Sequence, residues 1–96
     1  MMVLVTYDVE TMTKAGQKRL RKVAKACQNY GQRVQNSVFE CILTESQMTI
    51  LKDIIKGVIN TDTDNIRFYY MGNNWKNHVE SIGKVTSYDY TEELII

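Results

Sequence analysis

The sequence contains no proline and only five glycines, which argues against a disordered segment or a long linker. A chain of 96 residues is then one domain of about the commonest size, with room for a modest core but not for a deep enclosed substrate cavity. Functional surface is expected on a face or at a subunit seam. Histidine occurs once, at His78. That argues against a Ser-His or Cys-His pair, and a two-histidine ribonuclease mechanism would need a second chain; His78 reads as a surface or loop residue. The two cysteines, Cys27 and Cys41, form no CxxC and have no paired histidine. They give neither a zinc signature nor a disulfide framework and read as small apolar core residues. A glycine-rich phosphate loop is missing too. The opening MMVLVTYDVE has no basic stretch before a short apolar run, so neither a signal peptide nor a membrane span is expected and the chain is placed in the cytoplasm, with no membrane partner.

What is present is a regular alternation of short elements. Met2 to Val9 reads as a first strand. A helix follows from about Lys14 to Tyr30, where Leu20, Val23, Ala24, Cys27 and Tyr30 recur at helical spacing and Gly31 stands as a stop. RVQNSVFECIL, residues 33 to 43, reads as a short strand, a tight bend near Asn36 and a longer strand. Thr44-Glu45-Ser46-Gln47 matches a capping box, and the helix it opens sets Met48, Leu51, Ile54, Ile55 and Val58 on one face. Asp62 to Asn65 reads as a loop, and IRFYYMG as a fourth strand ending at Gly72.

The order βαββαβ predicts an α+β, ferredoxin-like sandwich with both helices on one face of the sheet. Neither side of the first strand is polar enough to be plain solvent surface. Val85 to Tyr90 reads as a C-terminal fifth strand, and the chain ends in Leu94, Ile95 and Ile96 with nothing of its own to pack on. A two-fold homodimer packed through the sheet faces satisfies both features, with residues from about 77 to 96 as a tail on the partner protomer. Phe68, Tyr69 and Tyr70 then read as core plus seam, since the glycine-aromatic signature of an RNA-recognition sheet is missing.

The formal net charge of +1 says little about partners, but the distribution says more. No acidic residue lies between Glu10 and Glu40, while Lys14, Lys18, Arg19, Arg21, Lys22, Lys25 and Arg33 all do. Lys14, Lys18, Arg21, Lys22 and Lys25 share the helix side opposite the apolar stripe and lack the acidic i,i+4 partners of an ordinary solvated helix. Two readings stand: a solvated helix face, or a ridge that tracks nucleic-acid phosphates.

Asp8 is the conspicuous polar residue, a carboxylate inside a run that otherwise reads as a buried strand. A buried charge needs a partner or a purpose. It is either structural, accepting amide bonds from the next loop, or a magnesium ligand, since magnesium keeps several waters and needs only one or two carboxylates beside a phosphate. A two-fold axis near the strand end would supply the second carboxylate as Asp8 of the other protomer.

YDV at the end of the first strand, the basic helix RLRKVAKAC, RVQNSVFEC and IRFYYMG together resemble the small CRISPR-associated adaptation nucleases, the Cas-two family, of the subtype I-C kind. The resemblance covers at least residues 2 to 72. It implies a ferredoxin-like homodimer and a phosphodiesterase dependent on Mg2+, or alternatively Mn2+, acting on double-stranded DNA or RNA. It also implies a place beside the Cas-one integrase in spacer acquisition. Carried over, Asp8 is the catalytic, metal-binding aspartate with Tyr7 beside it; Arg19, Arg21 and Arg33 contact nucleic acid; Ser37 and Phe39 shape the site. Two other readings remain: a non-catalytic dimeric DNA-binding scaffold bridging integrase subunits, and a toxin-like ribonuclease on the same fold.

Overall fold

The computed structural model describes residues 1–71 and 79–84. Its elements run β1 (Met2–Asp8), α1 (Lys14–Gln28), β2 (Gly31–Gln35), β3 (Val38–Ile42), α2 (Glu45–Val58), β4 (Asn65–Met71) and β5 (Val79–Gly83). The strands form one sheet in the order β2-β3-β1-β4-β5, with every neighbouring pair antiparallel. The first four strands have the order expected of a ferredoxin-like βαββαβ unit, and β5 adds to the edge at β4. The fifth strand expected at Val85 to Tyr90 lies outside the described residues, as do Gly72, His78 and the apolar end of the chain.

Alternation along β1 settles which sheet face is covered. Val3, Val5 and Tyr7 are buried together with Phe39 and Cys41 of β3 and Ile66 and Phe68 of β4. Onto these residues α1 packs Val23, Ala24, Ala26 and Cys27, and α2 packs Met48, Leu51 and Ile55. Both cysteines are free and buried, with the Cys41 thiol donating to the Cys27 carbonyl at 3.6 Å. Burial and the neighbouring Cys41 sulfur push the Cys27 thiol up, the sulfur contributing more. Ile54, expected in the core, is 43% exposed, because it falls at the edge of the α2 stripe.

The capping box that opens α2 forms as expected: Gln47 N–H donates to Thr44 Oγ1 at 3.1 Å, and Thr44 N–H donates to Gln47 Oε1 at 2.9 Å. The first helix ends two residues earlier than expected. Asn29 caps it in the right-handed helical region, and Tyr30 is drawn into strand pairing by accepting the Ile42 amide at 2.9 Å. Gly31 is therefore no helix stop but the start of β2. A Cβ there would stand 1.7 Å from the Glu40 carbonyl oxygen, so the residue is glycine for close backbone approach.

Among the described residues one carboxylate is fully enclosed, Asp64, at the end of the α2–β4 loop. Its Oδ2 accepts the Tyr7 hydroxyl at 2.6 Å, Arg19 Nε at 2.8 Å and the Asn60 amide at 3.1 Å. Its Oδ1 accepts Arg19 Nη2 at 3.2 Å and the Thr63 hydroxyl at 3.0 Å. The Asp64 carbonyl accepts the Lys84 amide at 2.7 Å, beside Gly83, whose φ of 110° suits glycine alone. One residue thus ties together β1, α1, β4 and the end of β5.

Burial alone would raise the Asp64 pKa. Burial is the largest single influence, but hydrogen bonds from the Arg19 guanidinium, the Tyr7 hydroxyl, the Asn60 amide and the Thr63 hydroxyl together outweigh it, and the carboxyl is brought down to about 2. Burial, then the Asp64 carboxylate, pushes the Tyr7 phenol well above its ordinary value, so it remains a donor. Because the Asp64 pKa is lower folded than unfolded, its stabilisation is fully present above about pH 4 and is lost as pH falls toward 2. We expect acid titration of the folded protein to lose about 2 kcal/mol from this group across that window. Chemical denaturation at stepped pH checks it: the Asp64→Asn variant, less stable at neutral pH, should show a flatter profile between pH 4 and 2.

Candidate nuclease centre and nucleic-acid surface

Asp8 is not the buried charge that its strand suggested. It is exposed because it is the last residue of β1 and alternates with Tyr7, so it points to the side of the sheet that carries no helix. Its strand partner across β4 is Asn65, whose side-chain amide donates to Ser81 Oγ at 2.7 Å and to the Lys84 carbonyl at 3.0 Å. On the β3 side, the Tyr7 amide donates to the Ser37 carbonyl at 2.9 Å. Ser37, half-buried in the turn before β3, therefore stands at the same end of the sheet as Asp8. Phe39 does not reach it: the ring is in the core opposite Val5, with the Arg33 guanidinium 5.5 Å above it.

The open face around Asp8 is apolar at its far end. Met2, Ile42 and Met71 are exposed by 39%, 68% and 50% and adjoin through the pairs Met2↔Ile42 and Met2↔Met71. Leu4 faces Tyr69 between this patch and Asp8. Of the three consecutive aromatics, Phe68 is core and Tyr69 is on the open face. Tyr70 is half-buried on the helix side, where its hydroxyl donates to Glu80. Lys52 of α2 donates to both Glu80 oxygens, at 2.7 and 2.9 Å, and fastens β5 to the helix layer.

The basic helix begins at the Asp8 end of β1, after the loop of residues 9–13. Thr13 caps it by accepting the Gly16 amide. Lys14, Lys18, Arg21, Lys22 and Lys25 are all exposed, and among the described residues none of them makes an ion pair. Arg19 differs, since its side chain is only 19% exposed and its guanidinium is held by Asp64. Arg33 is exposed on β2, and its Nε donates to the Asn36 carbonyl at 2.7 Å.

Among the described residues no three His, Cys, Asp or Glu side chains converge, and the donor at the end of β1 is the exposed carboxylate of Asp8. That donor set suits magnesium, a hard cation that takes oxygen ligands and keeps several waters, when a second carboxylate or a phosphate joins it. The residue that sequence reasoning passed over is Asp64. It lies in Thr61-Asp62-Thr63-Asp64-Asn65, a polar run with the composition of a turn. Its position immediately before a strand was the one available signal. No described helix is long and apolar enough to cross a membrane.

Comparison with known proteins agrees with this architecture. The family model described as CRISPR associated protein Cas2 matches residues 1–79. A protein of Halalkalibacterium halodurans named CRISPR-associated endonuclease Cas2 is 57% identical over 95 residues, covering 99% of each chain. One of Nitratidesulfovibrio vulgaris named CRISPR-associated endoribonuclease Cas2 is 48% identical over 96 residues, covering 100% of this chain and 94% of its own. A crystal structure of Streptococcus pyogenes Cas2 at pH 6.5 superposes with a TM-score of 0.74 at 58% identity, covering 86% of this chain and all of the other. With that match along nearly its whole length, and the same small α+β fold, the chain belongs to the CRISPR-associated Cas2 family.

Proposed function

We propose that the protein is a homodimeric, magnesium-dependent endonuclease of CRISPR spacer acquisition, hydrolysing phosphodiester bonds in double-stranded DNA or single-stranded RNA. We place it in a subtype I-C-like system and beside the Cas-one integrase. The observation that carries this reading is the position of Asp8: an exposed carboxylate at a strand end, on the helix-free face, where the basic helix begins. The relatives' names divide between endonuclease and endoribonuclease, which leaves both substrates in play.

The apolar patch of Met2, Ile42 and Met71 supports dimerisation through the open face, which would bring in one Asp8 from each protomer. Asp8 would hold Mg2+ or Mn2+ there. Such an ion supplies charge neutralisation at the phosphodiester and a more acidic attacking water. Lys14, Lys18, Arg21, Lys22 and Lys25 would hold the strand through its phosphates, with Arg33 as a further cation at the β2 edge. The two ridges of a dimer suit a duplex lying across it. Ser37, whose carbonyl is bonded to β1, supports the strand end. Phe39 supports it only through the core.

The unpaired ridge also favours a second reading, a DNA-binding scaffold between integrase subunits, in which Asp8 is structural. Metal dependence separates the two. The purified protein is expected to cut in magnesium and to stop in chelator, and Asp8→Asn is expected to sediment as a dimer with cleavage reduced to background. Full cleavage by that variant returns Asp8 to a structural role. For the ridge, replacing Lys18, Arg21 and Lys22 with alanine should flatten the dependence of log affinity on log salt by about 0.9 per lost contact on duplex DNA. An unchanged slope makes the helix face merely solvated.

A further inference from the structure

We infer that Asp64 is a positioning residue for Asp8, and that Tyr7 and Arg19 act on the nuclease centre through Asp64 instead of touching nucleic acid. The inference rests on reading Asp8 as the catalytic carboxylate. Tyr7 and Asp8 are consecutive on one strand and point to opposite faces, so fixing the orientation of one fixes the other. The Tyr7 side chain is fixed by its hydroxyl on Asp64 at 2.6 Å, and its backbone by the Ser37 carbonyl at 2.9 Å. Across the sheet, Asp8 is paired with Asn65, the residue that follows Asp64. The end of β1 is thereby held from β3, from β4 and from the helix layer.

The node is also more polar than stability requires. An enclosed ion pair is frequently no more stabilising than well-packed apolar side chains of similar volume, and five hydrogen bonds converge on Asp64 where aliphatic packing would close the core. What hydrogen bonds add over apolar contact is direction. A lone carboxylate asked to hold an ion has to be set to within about 0.5 Å, which requires locked neighbours. Arg19 fits this role and not that of a phosphate contact, since two of its guanidinium nitrogens are spent on Asp64 and its side chain is largely covered. Its neighbours Lys18, Arg21 and Lys22 remain open to solvent.

The test compares Tyr7→Phe, Asp64→Asn and Arg19→Ala with Asp8→Asn in the full chain. Substrates are a short DNA duplex and a single-stranded RNA in magnesium, at a temperature where circular dichroism shows each variant folded. We expect Tyr7→Phe and Asp64→Asn to lower kcat by about ten- to a hundredfold, the scale of a small misplacement of a reacting group, with KM and the salt slope of binding unchanged. Arg19→Lys should recover part of the kcat lost in Arg19→Ala. Amide exchange should accelerate at Tyr7, Asp8 and Val9 in Tyr7→Phe but not at Val3 and Val5. Should Asp64→Asn fail to fold, Tyr7→Phe, which lacks a single oxygen, decides. Wild-type kcat in folded Tyr7→Phe, with Asp8→Asn inactive, overturns this inference and leaves Asp8 catalytic; a salt slope reduced by about 0.9 in Arg19→Ala overturns it by making Arg19 a phosphate contact. If Asp8→Asn itself cleaves normally, both readings fall.

Discussion

A carboxylate with no access to water is tolerable in a protein only when a counter-charge and hydrogen bonds replace its hydration shell, and Asp64 is surrounded on that principle. Arg19 supplies the charge, Tyr7 and Thr63 supply hydroxyls, and Asn60 supplies a backbone amide. The donors come from three separate stretches of chain, so satisfying one group requires β1, α1 and the α2–β4 loop to take a single mutual arrangement. The apolar core beneath could be repacked in several ways at small cost. The polar node cannot, because every misplacement would leave a donor or acceptor buried without a partner.

The sheet then divides its labour between faces. On the helix side, alternate residues of β1, β3 and β4 meet α1 and α2 and fill the interior. On the other side the same strands show a gradient along their length, from exposed methionines and isoleucine at one end to Asp8 at the other. The basic ridge lies on the outer side of α1, away from the core, and among the described residues its cations make no ion pair. The apolar patch and the exposed carboxylate thus share the helix-free face of a small domain, and the exposed cations stand on the helix layer opposite.

Much of this was legible in the sequence, and the reason is periodicity. The alternation of Val3, Val5 and Tyr7, the helical recurrence of Val23 and Cys27, and the spacing of Thr44 to Gln47 are local signals that each element carries within itself. The order of strands in the sheet followed from the order of elements. The identity of the buried charge did not. Asp8 looked enclosed because its neighbours in sequence are apolar, yet a strand's last residue on an uncovered face meets solvent; Asp64 looked exposed because its neighbours are polar. Its partners Arg19 and Tyr7 stand 45 and 57 positions away, beyond the reach of any window. Gly31 was misread for a related cause, since the Glu40 backbone that demands a missing Cβ belongs to the adjoining strand.

That same separation along the chain bears on when the polar node can form. Tyr7 precedes its partner Asp64 by 57 positions, and β4 must insert beside β1 before the contact closes. Such long-range pairing is among the later and slower events in assembling a sheet of this kind. During synthesis, therefore, the end of β1 stays without this anchor until residue 64 has followed it out of the ribosome, and the order of translation itself sets the earliest moment at which the node can close.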